Sequence, residues 1–185
     1  MALIDATSWS SDNTRFMTSS DGGVTWNERA IPEGATSGKV AYSATDPDRM
    51  IYLPAESIPY YTDDGGATWI AGRGAPDNAV GDRYIWNSDH AVAADGVNGN
   101  RFYLYKSGKI FVTENGGADW MLRNGSGLLP PKEGWYLWVS AAPSMDGVVW
   151  VSLGANGLWK SEDAGKSFNK IRVFENSRLR GWGKA

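Results

Sequence analysis

Short apolar runs separated by turn residues recur along this chain. In the clearest stretch the runs are residues 91–94, 101–105, 109–113 and 119–123, and clusters of Gly, Asn, Asp or Ser separate them. Runs of this length, rich in aromatic and β-branched residues and bounded by turn residues, are typical of β-strands. Four consecutive strands joined by short turns predict an antiparallel meander, which is the form of one β-propeller blade. No segment keeps a 3.6-residue apolar period, so little or no helix is predicted.

Two other stretches repeat this order of strands and turns. The first consists of residues 39–43, 50–53, 59–62 and 68–71, and the second of residues 137–141, 148–152, 157–160 and 167–171. At the N-terminus two strands are predicted, around residues 15–18 and 25–27. At the C-terminus residues 179–183 are predicted to be the first strand of another blade.

The sequence therefore predicts an all-β chain that forms a single propeller part-domain over residues 1–185. Its predicted parts are a part-blade at 1–30, blades at 31–75, 80–125 and 134–174, and one strand of a further or closing blade at 178–185. Two interpretations fit this division. The chain is part of a larger, seven-bladed propeller, or its last strand closes a small four-bladed ring. The short N-terminal part-blade favours the larger propeller.

One eight-residue motif accompanies the predicted blades. It reads Ser/Thr-x-Asp/Asn-x-Gly-x-x-aromatic and occurs at residues 19–26, 62–69, 113–120 and 161–168. Its third positions, Asp21, Asp64, Asn115 and Asp163, follow one another at intervals of 43, 51 and 48 residues. Repeats of this length indicate an array of similar units, each too small to fold alone.

The motif has the chemistry of a tight turn. Its glycines permit positive φ, the Asp or Asn side chain accepts hydrogen bonds from turn amides, and the Ser or Thr hydroxyl does the same. The aromatic residue is expected to begin the next strand and to fold back over the turn. The motif is known as the Asp-box, or BNR repeat, of sialidases and other propeller families. Structural roles are therefore predicted for Asp21, Trp26, Asp64, Trp69, Asn115, Trp120, Asp163 and Phe168.

Composition and charge narrow the possible functions. The chain has 185 residues with 18 basic and 21 acidic side chains, a net charge of −3, and no basic patch, so no nucleic-acid partner is predicted. It contains no cysteine and a single histidine, His90, so neither a disulfide framework nor a His-rich metal site is expected, and no cofactor is predicted. No apolar run approaches the roughly 18 residues of a membrane span, so no membrane partner is predicted. Residues 1–5 lack the features of a signal peptide.

Several stretches resemble one enzyme family. Residues 93–103, 108–117, 147–152, 157–161 and 181–185 are similar to the C-terminal propeller of glycoside hydrolase family 74. The resemblance covers about residues 13–185. It implies a secreted, extracellular protein that degrades xyloglucan or another β-1,4-glucan, with two seven-bladed propellers facing each other across the substrate cleft.

Such enzymes invert anomeric configuration with two aspartates, one from each propeller, and an inverting pair stands about 6.5–9.5 Å apart to admit a water molecule. No segment of this chain matches either aspartate, so no catalytic residue is assigned. The resemblance implies that the chain supplies scaffold and one wall of the cleft. Whether the chain alone is an enzyme stays open.

Aromatic residues in the loops that enter the innermost strands are the candidate sugar contacts. Tyr84, Trp86, Trp135 and Tyr136 lie in such loops, and aromatic faces pack against the C–H groups of pyranose rings. The alternative is that these side chains fill gaps between blades. For Trp138, within a predicted strand, packing is the favoured interpretation.

Asp82, Asp89 and His90 form the one cluster with acid–base potential, because a loop carboxylate near aromatic residues can have a raised pKa. An ordinary turn is the favoured interpretation of this cluster.

A second class of function stays open, a non-catalytic Asp-box propeller that binds glycan or protein partners, as sortilin-type receptors and photosystem assembly factors do. A carboxylate pair facing the cleft would distinguish the enzyme from the binding module. A sialidase is disfavoured, since no FRIP-like segment accompanies Arg15, Arg49, Arg73 and Arg101. If the ring does not close, open blade edges predict self-association.

Overall fold

The described part of the chain in the computed structural model consists of fifteen β-strands in four antiparallel sheets. It covers residues 2–6, 14–35, 37–77, 89–123, 129–133, 136–173 and 175–177, with backbone alone at 2–6 and 14. Within these ranges there is no helix long and apolar enough to cross a membrane. The strand predicted at residues 179–183 lies outside the described residues.

Strand order within every sheet follows the chain. The first sheet contains β1 (Ala2–Ala6), β2 (Thr14–Thr18) and β3 (Asn27–Arg29). The second contains β4 (Gly38–Tyr42), β5 (Met50–Pro54), β6 (Tyr60–Thr62) and β7 (Ile70–Ala71). The third contains β8 (Val92–Ala94), β9 (Phe102–Lys106), β10 (Lys109–Thr113) and β11 (Met121–Leu122). The fourth contains β12 (Trp138–Ala141), β13 (Val149–Ser152), β14 (Leu158–Ser161) and β15 (Asn169–Ile171). The prediction of an all-β fold built from four-stranded antiparallel blades is confirmed.

The first sheet contains a strand that the sequence did not reveal. The N-terminal part was predicted to hold two strands, but β1 pairs with β2 along its whole length, from Ala2 opposite Thr18 to Ala6 opposite Thr14. The sequence of β1, Ala-Leu-Ile-Asp-Ala, has low β-propensity at both ends, so only the pairing identifies it.

The Asp-box register shows which strands of a blade the first sheet represents. The Asp-box lies between the last two strands of every sheet, and its first residue pairs with the start of the second strand, as Thr62 does with Met50. In the first sheet the partner of β2, next to the Asp-box, is β1. Strands β1–β3 therefore correspond to the second, third and fourth strands of the other sheets.

The outer strands begin later than predicted. They were expected at residues 25–27, 68–71, 119–123 and 167–171, but β3, β7, β11 and β15 each start two residues further on. The reason is that the Asp-box turn is longer than a hairpin turn. The Thr68 amide donates to Asp64 Oδ1 at 2.9 Å, so it is engaged in the turn. The aromatic residue thus closes the turn and does not begin the strand.

The core lies between the sheets and is formed mainly by their second strands. All five residues of β5 are buried, as are the first four of β9. Strands covered on both faces bury consecutive residues, which explains the unbroken apolar runs Met-Ile-Tyr-Leu and Phe-Tyr-Leu-Tyr. The first strands pack side by side, with β4 against β8 and β8 against β12, while β1 packs against β4.

Candidate functional site

The meander sorts the loops to two ends of the sheets. Because successive strands are antiparallel, the turn between the first two strands and the Asp-box turn lie at the same end, here called the Asp-box end. The turns between the second and third strands lie at the other end, together with the segments that connect one sheet to the next. This is here called the connector end, and β4, β8 and β12 begin there.

A polar and aromatic cluster lies at the connector end, where β8 and β12 begin. The His90 amide donates to the Leu137 carbonyl and the Val139 amide donates to the His90 carbonyl, both at 2.8 Å. This short parallel bridge brings the imidazole of His90 onto the indole of Trp138, with ring centroids 3.8 Å apart and planes inclined by 30°.

Beside this ring pair, Asp89 is buried and forms an ion pair with Lys132. Asp89 Oδ2 accepts a hydrogen bond from Lys132 Nζ, and the lysine side chain is 37% exposed whereas that of Asp89 is 5% exposed. A buried carboxylate needs such a partner, because an unpaired charge in the interior is costly. The pair therefore presents an ammonium group at the surface.

Burial and positive charge determine the protonation of this cluster. Burial, followed by the charge of Lys39, lowers the pKa of His90 to about 4. Burial also lowers the pKa of Lys39, and the nearby Asp89 carboxylate partly opposes this. His90 is therefore neutral near pH 7, where its imidazole can donate one hydrogen bond and accept another, and it is a weaker base than an ordinary histidine.

The structure describes only part of the predicted site. Tyr84, Trp86, Trp135 and Asp82 lie outside the described residues. Tyr136 is described and is half-buried, two residues before Trp138.

The favoured interpretation, an ordinary turn, does not describe this cluster, because Asp89 is buried and bound by a lysine, and His90 lies against Trp138. Sequence reasoning missed both Lys39 and Lys132. A single lysine in a strand or loop carries no signal until the fold places it beside a buried carboxylate. Among the described residues there is no group of three or more metal-ligating side chains.

At the opposite end, the Asp-boxes share a set of hydrogen bonds, except that in the third box the Asn115 side-chain amide donates to the Asp119 carboxylate where the other boxes have a hydroxyl donating to an aspartate. In the second box the Thr62 hydroxyl donates to Asp64 Oδ1 at 2.6 Å and accepts from the Gly66 amide at 3.1 Å. Asp64 also accepts from the Thr68 hydroxyl at 2.6 Å. These bonds, led by that from Thr62, lower the pKa of Asp64. In the other boxes, the amide of Thr25 donates to Asp21, that of Asp119 donates to Asn115, and that of Ser167 donates to Asp163.

The glycine at the fifth position of the second, third and fourth boxes, namely Gly66, Gly117 and Gly165, faces the preceding sheet. A Cβ added to Gly66 would lie 2.8 Å from the ring of Phe16, and one added to Gly165 would lie 3.1 Å from Ile110. In the second box, Trp69 packs edge-on against Phe16 at 5.3 Å and its indole N–H donates to the Ala30 carbonyl at 2.8 Å. The Asp-box is thus also the joint between neighbouring sheets.

Arginines that precede the second strands reinforce two of these joints. Arg49 Nε donates to Asp63 Oδ1 at 2.6 Å, and Arg49 also binds Asn100 in the turn of the next sheet. Arg101 repeats this arrangement with Glu114 and Asp146. The acidic partners Asp63 and Glu114 occupy the second, variable position of their Asp-boxes.

Arg101 is the more buried of the two arginines. It also approaches Asp95, whose buried carboxylate accepts from the Tyr103 hydroxyl at 2.5 Å and from the Gly147 amide at 3.0 Å. No structural role was predicted for these arginines from the sequence. Their shared position, directly before the second strand, becomes evident only when the strands of different sheets are aligned.

Comparison with known proteins shows what this arrangement is similar to. No family model matches the chain. A xyloglucanase of Paenibacillus sp is 32% identical over 173 residues, which cover 90% of this chain and 16% of that protein. The xyloglucanase Xgh74A of Acetivibrio thermocellus is 30% identical over 176 residues, 94% of this chain and 19% of that protein. The chain thus spans less than a fifth of the length of these relatives.

Among solved structures, the GH74 enzyme of Niastella koreensis superposes with a TM-score of 0.69 at 28% identity, over 85% of this chain and 21% of that one. The resemblance to glycoside hydrolase family 74 is confirmed. YCF48 from Cyanidioschyzon merolae, at 17% identity and a TM-score of 0.50 over 76% of this chain and 39% of that one, shares the fold. The similarity to family 74 therefore covers both the Asp-box end and the connector end.

Proposed function

We propose that this chain is part of a family 74 glycoside hydrolase that degrades xyloglucan or a related β-1,4-glucan. In this proposal it supplies propeller scaffold and one wall of the substrate cleft, and the catalytic aspartates lie outside the chain. The observation that carries the proposal is 32% and 30% identity, across at least 90% of the chain, to two proteins named as xyloglucanases. A partial seven-bladed propeller with the predicted blade boundaries and an extracellular location belong to the same proposal.

The connector end is the proposed glycan-binding surface. Tyr84, Trp86, Trp135 and Tyr136 are the proposed sugar contacts. In support, Tyr136 precedes Trp138 by two residues, and the His90–Trp138 ring pair lies at the end of the sheets where the innermost strands begin. Stacked rings offer the flat apolar face that pyranose C–H groups require. The eight Asp-box residues keep structural roles in this proposal.

Binding and hydrolysis should be measured on the same samples. Xyloglucan oligosaccharides would be titrated against the chain with intrinsic tryptophan fluorescence and calorimetry, and reducing-sugar release would be followed in parallel. We expect binding without hydrolysis, and we expect Trp86→Ala and Trp135→Ala each to weaken binding about tenfold or more, equivalent to about 1.4 kcal/mol. Trp26→Phe, in the first Asp-box at the opposite end, is the matched control and should bind as the wild type does.

The outcomes separate the alternatives. Hydrolysis by this chain alone would place a carboxylate pair within it and contradict the assignment of catalysis elsewhere. Absence of binding to any β-1,4-glucan would overturn the glycan-cleft proposal and favour a propeller that binds protein partners.

An open sheet edge supports a second proposal, about self-association. Among the described strands, β1 lies at the edge of its sheet, and unpaired strand edges are templates for pairing with another chain. We expect the apparent mass from light scattering to rise with concentration. A constant monomer mass would contradict this.

A further inference from the structure

We propose that Lys39, His90 and Trp138 form a further glycan subsite at the connector end, in which their side-chain nitrogens bind the oxygen atoms of one pyranose unit. This inference deepens the proposed function and rests on it. It gives Trp138 a role in binding, whereas the sequence favoured packing for this residue. The three side chains are half-buried and lie at or just before the starts of β4, β8 and β12.

The pattern of burial shows on which side of the backbone two of these side chains lie. Leu137 and Val139 flank Trp138, are 2% and 3% exposed, and belong to the core between the sheets. The neighbours of His90 on both sides are buried in the same way. Since side chains alternate along an extended backbone, His90 and Trp138 lie on the side away from the core. Their ring contact is therefore formed outside the core cluster.

The nitrogen atoms of this subsite are open to a ligand. Those of Lys39, His90 and Trp138 form no hydrogen bond or ion pair with a described residue, and none of them is fully enclosed. The indole nitrogen of Trp120, in contrast, is enclosed and inaccessible. Half-buried polar groups normally have a partner, so groups that stay open at the surface of a fold are suited to binding.

Other tryptophans of the chain show what a packing role requires. The indole N–H groups of Trp26, Trp69 and Trp159 each donate to a backbone carbonyl, at 3.0, 2.8 and 3.0 Å. A buried indole usually satisfies its N–H in this way. Trp138 has no such bond within the described ranges, and this difference favours a contact with a ligand.

Lys39 adds positive charge to the subsite. Its ammonium group is close enough to His90 to lower the pKa of the imidazole, and it also lies near Asp89. Asp89 is already bound to Lys132, so one carboxylate faces two ammonium groups. An ammonium group and an indole N–H can only donate hydrogen bonds. The cluster therefore has more donors than acceptors, and its ligand has to supply acceptor oxygens.

A pyranose unit meets this requirement. Its hydroxyl, ring and glycosidic oxygens accept hydrogen bonds from the indole and the ammonium group, and the neutral imidazole can accept one from a sugar hydroxyl in return. The C–H groups of the sugar can pack against the aromatic rings. A small anion would also be attracted by the ammonium groups, but it would leave the aromatic rings unused.

The experiment titrates a xyloglucan oligosaccharide into the chain and follows two local NMR signals alongside calorimetry. His90 is the only histidine, so its Cε1–H signal is unambiguous, and the indole N–H signal of Trp138 is identified by its absence from Trp138→Phe. We expect both signals to shift with the dissociation constant that calorimetry gives. The indole signal of Trp26, in the first Asp-box at the opposite end, should not move.

Two variants test the donors separately. Trp138→Phe keeps an aromatic ring and removes the N–H, whereas Lys39→Met keeps an unbranched side chain and removes the charge. We expect each to weaken binding about tenfold. Lys39→Met should not lower the melting temperature, because its ammonium group has no hydrogen bond to a described residue to lose, so it decides the test if Trp138→Phe is unstable. Lys166→Met, exposed in the fourth Asp-box, is the matched control and should bind as the wild type does.

Several results would overturn the subsite. Calorimetric binding that leaves the His90 and Trp138 signals unmoved would contradict this inference and leave the proposed function intact. Unchanged affinity of both Lys39→Met and Trp138→Phe would do the same. Acetate that shifts both signals as strongly as the oligosaccharide would show an anion site instead. Absence of any calorimetric binding would contradict the proposed function itself, and the subsite with it.

Discussion

At the scale of single residues, position within the fold changes the chemistry of ordinary side chains. The carboxylate of Asp64 is exposed, yet hydrogen bonds from Thr62 and Thr68 lower its pKa. The pKa of His90 is also lowered, but for a different reason, because burial and the charge of Lys39 disfavour its protonated form. The two kinds of group contribute to stability in different pH ranges.

His90 offers a direct test, since it is the only histidine of the chain. Its pKa is lowered to about 4 from an ordinary 6.5, so between these values the unfolded chain binds more protons than the folded one. We expect stability to fall as the pH drops from about 6.5 to about 4. The measurements are the pH titration of the single imidazole Cε1–H resonance and urea unfolding at several pH values.

The control for this prediction is His90→Gln, which should lose most of the pH dependence in that range. The Asp-box carboxylates have lowered pKa values, so their contribution is present above about 3.9 and is lost only as the pH falls further. An imidazole that titrates near 6.5 would contradict the burial of His90 against Trp138.

At the scale of elements, the Asp-box is both a turn and a packing surface. The first glycine position requires positive φ but tolerates a methyl group, since Ala164 occupies it in the fourth box with φ 58°. The second position, at Gly66, Gly117 and Gly165, has positive φ and faces the preceding sheet. The two glycines are therefore needed for different reasons.

Alanine substitution should separate these reasons. Gly117→Ala places a Cβ against Ile51 and 2.7 Å from the Cβ of Tyr61, at φ 109°. We expect a loss of about 2–5 kcal/mol in the free energy of unfolding, which combines about 1–2 kcal/mol for the backbone and about 1–3 kcal/mol for overpacking. Gly22→Ala, with nothing within 4 Å, should lose only the backbone contribution. Equal losses in urea unfolding would show that the inter-sheet contact is unimportant.

At the scale of the whole molecule, the sheets are held together by buried apolar strands and by ion pairs that cross the joints. Arg101 is 13% exposed and connects the third sheet to the turn of the fourth through Asp146. Arg73 also crosses a joint, to Asp119, but it is 77% exposed. Both members of the Arg73–Asp119 pair are screened by solvent, whereas Arg101 also binds the fully buried carboxylate of Asp95, so the two arginines differ in their effect on stability.

Replacing each arginine tests this difference. Arg101→Gln should cost about 3 kcal/mol, the lower end for breaking a buried pair, because Asp95 retains its other hydrogen-bond donors. Arg73→Gln should cost at most about 1 kcal/mol. Urea unfolding of both variants gives the comparison, and a larger loss in Arg73→Gln would contradict the assignment of the buried joint.

Sequence alone determined the local features of this protein. The four Asp-boxes, with their glycines and their Asp or Asn residues, predicted the turns, because a tight turn depends on residues within eight positions. The apolar runs of β5 and β9 predicted strands, since covered strands leave a continuous apolar signal. The connecting stretches also carried the family resemblance.

Only the tertiary structure decided what lies between the sheets. β1 is a strand because it pairs with β2. Lys132 binds Asp89, which lies 43 positions earlier in the sequence, and Arg49 and Arg101 bind residues of the next sheet. These features depend on distances between residues far apart in the chain, and a local pattern of polar and apolar positions contains no information about such distances.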